Sequence, residues 1–111
     1  MKLPNGDKAD VPLRKLLHYL LSPTHPVGRS KAKYFRSKGF NDESVETLRK
    51  ALLMIAASEQ VEEVVSTAYG VKYVIDGTLT SPTLAVLRIR TIWVMEEGVQ
   101  IPRFVTAYPM E

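Results

Sequence analysis

Cysteine is absent from the 111 residues. That excludes a disulfide framework, a thiolate metal site and a cysteine nucleophile. Histidine is nearly absent too: His18 and His25 are the only imidazoles. They lie on different segments, so a histidine-based metal centre would need carboxylates to complete it, and neither a metal nor another cofactor is expected. No apolar run approaches the roughly 20 residues needed to span a bilayer. The opening Met1-Lys2-Leu3-Pro4-Asn5-Gly6-Asp7 holds no apolar core of a secretory signal. A soluble, cytoplasmic chain with no membrane partner is expected. The phosphate-loop, dinucleotide-loop, nucleophile-elbow and H-E-x-x-H motifs are all missing, which removes the commonest nucleotide-dependent, serine-hydrolase and zinc-protease chemistries.

What is present is an ordinary globular composition, 45% apolar and 24% charged. A domain of this length hides about two-thirds of its unfolded surface, enough for one core without staples. We expect a single domain over residues 1–111, with residues 1–10 as a loosely ordered N-terminal segment. The net charge of +3 is unevenly spread. Residues 1–40 carry nine Lys and Arg against Asp7 and Asp10, residues 41–68 are acidic, and residues 69–111 balance. A basic first third suits either a polyanion-binding face or the solvated sides of short helices.

Periodicity orders the elements. Asp10 can cap a helix with Pro12 in its first turn, and Leu13, Leu16, Leu17, Leu20 and Leu21 recur at helical spacing. Pro23 and Pro26 stop it. A second helix spans about Gly28 to Lys38, with Ala32, Phe35 and Tyr34 inward, and Gly39 as its left-handed terminus with Phe40 folding back. Asn41 or Asp42 caps a third helix with Val45, Leu48, Leu52, Ile55 and Ala56 on its inner face.

Residues 58–68 are rich in β-branched side chains but also in Glu, so strand and helix both stay open there. Tyr69-Gly70 reads as a hairpin turn into an alternating strand, Val71 to Asp76. After a second turn at Thr80-Ser81-Pro82-Thr83, Leu84 to Met95 is the longest strand candidate. Val99 to Tyr108 returns as an edge strand, consistent with Pro102. The fold class is α+β: about three N-terminal helices packed on a three- to four-stranded antiparallel meander sheet.

Candidate chemistry centres on His25, between Thr24 and Pro26, ahead of a helix carrying Arg29, Lys31 and Lys33. Imidazole moves protons near neutrality, and the helix start after Pro26 offers free N–H groups to an anion. The alternative is a loop histidine that caps the following helix. His18, between Leu17 and Tyr19, reads as a packed or half-exposed structural residue. Lys31 and Lys33 cannot share a helix face. Arg88 and Arg90 do share a strand face, about 7 Å apart, and could hold a phosphate; a solvent-facing basic stripe is the alternative. Thr106 and Tyr108 could add hydroxyl donors. Trp93 reads as core, with base stacking the lesser possibility.

The H-P-x-G-x-x-K-A-x-x-F block at His25–Phe35, the Arg90-Thr91-Ile92-Trp93 string and Pro102–Tyr108 together resemble a family of small uncharacterised bacterial and cyanobacterial domains. Its members occur alone or at the C-terminus of polymorphic-toxin and phage-head-like proteins. The helices-then-meander order looks like the barnase/EndoU/colicin/RelE group of metal-independent ribonucleases, an analogy of fold. The resemblance implies that a ribose 2′-OH attacks the adjacent phosphate, with His25 as general acid or base, Lys31 and Arg90 stabilising the developing charge and Thr106 as a positioning donor. Gly28, Arg29, Lys33, Lys72, Arg88 and Thr91 complete the expected substrate-binding set. Only one imidazole is well placed on this reading, so Lys31 or a carboxylate such as Asp76 would supply the second titrating group. RNA is then the expected partner. The other reading is a non-catalytic domain that binds a small acidic or immunity-type protein.

Overall fold

The computed structural model describes residues 1–110. Its helical half comprises α1 (Leu13–Lys15), a π-helical turn (Leu16–Leu20), α2 (Arg29–Ser37) and α3 (Val45–Ser58). The second half is a four-stranded antiparallel meander in the order β1-β2-β3-β4: β1 (Val61–Thr67), β2 (Gly70–Thr80), β3 (Val86–Glu96) and β4 (Arg103–Pro109). The expected α+β architecture is therefore present, and the segment left open between helix and strand is β1.

The core lies between the helices and one face of the sheet. Leu87, Ile89, Thr91 and Trp93 of β3 are buried there with Phe35, Phe40, Leu48, Leu52 and Phe104. Trp93 meets Phe104 edge-on at 5.4 Å. Each fully buried apolar side chain among them contributes roughly 1.5–3 kcal/mol. Close approach of α3 to the sheet needs Gly77: a Cβ there would come within 2.9 Å of the Ile55 side chain. Gly39 ends α2 at φ 97°, and Phe40 folds back, its N–H donating to the Phe35 carbonyl, as the Gly-Phe pair predicts. Asn41 accepts from the N–H groups of Glu43 and Ser44 and so caps the turn that leads into α3.

Four local features differ from the expectation. Asp10 does not cap α1, whose preceding residue makes no side-chain cap; its backbone instead pairs with β4, giving N–H to Pro102 and accepting from Phe104. The first helix widens into a π turn, closed by Leu21 N–H to the Leu16 carbonyl at 2.7 Å. That extra residue turns Leu16, Leu20 and Leu21 all inward while Leu13 stays exposed. Leu84 is no strand residue: it sits at φ 65° in the turn before β3, 82% exposed. Residues 1–10, expected as a loosely ordered N-terminal segment, are attached by a bridge between Lys2 and Gln60, by buried Leu3 and by Gly6 packed under α3.

Pairing assigns the other sheet face. Asp76, Arg90 and Tyr108 form one row across β2, β3 and β4, and Val74, Ile92 and Thr106 the next.

Candidate functional site

His25 occupies the connection between the π turn and α2. Its carbonyl accepts from Arg29 N–H at 3.0 Å, so the helical path begins at Pro26 and His25 stands in the capping position. Nδ1 accepts from the N–H groups of Val27 and Gly28, each at 3.0 Å. The helix start expected to cradle a phosphate is thus already satisfied by the imidazole, and the capping alternative is the one realised. With Nδ1 an acceptor, the neutral ring carries its proton on Nε2, an assignment that follows from the bonding pattern. Gly28 is buried; a Cβ on it would lie 2.2 Å from the Tyr19 carbonyl oxygen. It is there to let α2 start against the π turn, so it offers no surface to a substrate.

Tyr19 is the hub that sequence reading missed. The His25 ring stands edge-on to it at 5.0 Å. Lys15 Nζ lies 4.6 Å and Lys31 Nζ 5.8 Å from its ring centroid, within cation–π reach. Its hydroxyl shares a 2.9 Å hydrogen bond with Thr106 Oγ1. Thr106, far away in sequence, is therefore brought to His25 and Lys31, each through Tyr19.

Beside this cluster opens a hollow of about 620 Å³, lined by Asp10, Pro12, Arg14, Lys15, His18, Tyr19, His25 and Arg103. Both imidazoles of the chain border it. His18 is exposed, further out than the packed or half-exposed position expected of it. Helical spacing was the available signal: Arg14 and Lys15 lie four and three residues before His18, hence on one face. The guanidinium from the strand half that shares a hollow with His25 is Arg103, not Arg90. Arg103 is ion-paired with Glu96 and remains about half exposed, and its arrival depends on the pairing of Asp10 with β4.

Arg90 is engaged elsewhere. Its Nε and Nη2 donate to the two carboxylate oxygens of Asp76 at 2.8 and 2.9 Å. Those bonds, then the carboxylate charge, raise the guanidinium pKa above its ordinary value, with a smaller contribution from Tyr108. Asp76, accepting both bonds, is an ion-pair partner instead of the second proton-transfer group. Thr91 cannot bind a substrate: it is fully buried, donating to the Ile75 carbonyl and accepting from Trp93 Nε1, both at 2.7 Å. Trp93 is core.

The remaining positions spread over the surface. Arg29 and Lys33 line a groove with Pro23 and Arg36, while Lys31 lines another with Tyr34 and Tyr108. Arg88 is exposed and Lys72 half-buried on the face away from the helices. Among the described residues no cluster of three metal-ligating side chains occurs, and no helix is long and apolar enough to cross a membrane.

No curated protein matches the sequence. Among solved structures, the fold is similar to a chain from a contact-dependent growth inhibition toxin–immunity protein complex of Klebsiella pneumoniae 342. The TM-score is 0.73 at 14% identity, covering 90% of this chain and 98% of that one. At such identity the likeness is one of fold. A family model described as a domain of unknown function, DUF6883, matches residues 2–111, and the chain belongs to that family.

Proposed function

We propose that this chain is a toxin-like domain that binds RNA and cleaves it without a metal, using the hollow between the first helical segment and β4. The observation that carries the reading is the gathering of His18 and His25 with Arg14, Lys15 and Arg103 around one opening, against a single unpaired-charge opponent, Asp10. One exposed imidazole, His18, with His25 held beside it as a fixed N–H donor in the same basic hollow, serves proton transfer better than Lys31 or Asp76 does. The helices-then-meander likeness to metal-independent ribonucleases supports the same class by analogy. The Klebsiella neighbour, which comes from a growth-inhibition toxin–immunity complex, supports the coarser reading of a toxin-like or immunity-type domain.

In this mechanism exposed His18 takes the proton of a ribose 2′-OH. The 2′ oxygen bonds to the adjacent phosphorus, the bond from phosphorus to the 5′ oxygen breaks, and His18 returns its proton to that leaving oxygen. The products are a 2′,3′-cyclic phosphate and a free 5′-OH. Arg14, Lys15 and Arg103 oppose the charge that builds on the phosphoryl oxygens, and His25 offers Nε2–H as a fixed donor. An immunity-type protein, acidic where this surface is basic, is the natural partner of such a domain.

Incubation of the protein with total RNA in EDTA, followed by analysis of cleaved ends, tests the reading. Cyclic-phosphate ends are expected, and His18→Ala should slow their formation about 10²–10⁴-fold, with Arg90→Ala close to wild type. No cleavage, or cleavage unchanged in His18→Ala, overturns it. One observation favours a second reading, a non-catalytic domain whose basic surface binds an acidic protein: His25 spends its Nδ1 on capping α2. That reading predicts tight binding of an acidic partner with no RNA cleavage.

A further inference from the structure

We infer that the groove between α2 and the end of β4 is a nucleobase subsite for single-stranded RNA, adjoining the phosphate-binding hollow. The ligand class rests on the RNA reading above; the geometry rests on different side chains. The groove, about 430 Å³, is lined by Ser30, Lys31, Tyr34, Tyr108 and Pro109. Two half-buried phenol rings, a proline and one lysine make a surface suited to a flat aromatic group carrying an anion beside it. Bases stack on such rings with little regard to sequence, while a cation tracks the backbone.

Continuity with the hollow comes from Lys31. The same side chain that lines the groove holds its ammonium 5.8 Å from the ring of Tyr19, and Tyr19 lines the hollow. A phosphate held in the hollow would therefore have its neighbouring nucleoside beside the two tyrosines. Both rings are braced. Tyr34 stands edge-on to buried Phe35 at 5.3 Å, with Lys38 Nζ 5.7 Å from its centroid. Tyr108 is paired in the sheet opposite Arg90, itself clamped to Asp76. Little ordering cost then remains to be met on binding.

The test uses non-cleavable 2′-O-methyl oligonucleotides, one with all its bases and one abasic throughout, titrated against the full chain at fixed salt and followed by fluorescence anisotropy. Tyr34→Ala and Tyr108→Ala should each weaken binding of the base-bearing oligonucleotide about tenfold, at the low end of base–aromatic stacking, and leave the abasic one unchanged. Tyr34→Phe and Tyr108→Phe should bind as wild type. Lys31→Ala should weaken both oligonucleotides alike, since it removes a backbone contact. Tyrosine variants that bind both oligonucleotides as wild type does, or lose both equally, overturn the subsite. Base-dependent binding without cleavage of ordinary RNA would leave the subsite standing and remove the nuclease reading. Cleavage with base-blind binding would do the reverse.

Discussion

Thr91 and Thr106 lie on neighbouring paired strands, yet their hydroxyls live in different worlds. Thr91 faces the helices, sealed from water, and is saturated: one bond given to the Ile75 carbonyl, one received from Trp93. Thr106 lies at the β4 rim, half-buried, and its one partner is Tyr19 from the helical half. The interior closes its polar groups on one another, because an unmatched group there costs about 1–3 kcal/mol. The rim leaves Arg14, Lys15, His18 and Arg103 around an open hollow. Residues able to meet a ligand are those the packing left unsaturated.

The contrast can be broken from the interior side first. Trp93→Ala should cost about 3–5 kcal/mol and lower the melting temperature by roughly 12 °C or more, measured by thermal or denaturant unfolding. A loss below about 1 kcal/mol would mean that the sheet–helix interface is not the core it looks to be. Thr91→Val should cost about 1–3 kcal/mol by stranding the Trp93 indole N–H, with RNA cleavage per folded molecule unchanged. Should that variant keep its stability and lose cleavage, Thr91 returns as a ligand-binding residue.

At the rim, His25→Ala should cost about 1 kcal/mol, the usual worth of a helix cap, and His25→Asn should recover most of it, because an amide oxygen can accept the same N–H groups. Equal losses in both variants would argue against the capping role. The smallest effect concerns pH. The Arg90 pKa is raised by folding, so its contribution is complete below the unfolded value and is lost only as pH rises through the still higher folded one. Both lie above the accessible alkaline range. The stability difference between wild type and Arg90→Gln should therefore stay flat from about pH 6 to about pH 10, and a slope there would show that another group titrates with the pair.

Much of the architecture was legible before folding. Gly39-Phe40 announced the end of α2, Asn41 the capped turn before α3, and the alternation of β3 the division between Leu87, Ile89, Thr91 and Trp93 on one side and Arg88, Arg90, Ile92 and Val94 on the other. The site was legible in part. Of the expected residues, His25 lines the proposed hollow and Lys31 only approaches the Tyr19 ring from a neighbouring groove. Arg90 was assigned to phosphate when its nearest demand is Asp76, its partner in the β2–β3 ladder. His18 was set aside because leucines surround it in sequence, whereas the π turn sends those leucines inward and leaves the imidazole outside. Tyr19 was given no role, since nothing local marks a phenol whose hydroxyl partner, Thr106, sits 87 residues away.

The linear order of apolar, turn-forming and capping residues determined which stretches became helix or strand and which side of each is buried, because those preferences act over one or two turns of chain. Only the folded molecule decided that Arg103 would face His25 and that Thr106 would meet Tyr19. Those meetings depend on one extra residue in the π turn, on a bulge in β4 and on Asp10 pairing across 93 residues. Such long-range registers are selected by the packing of the whole chain, and no short window of sequence carries them.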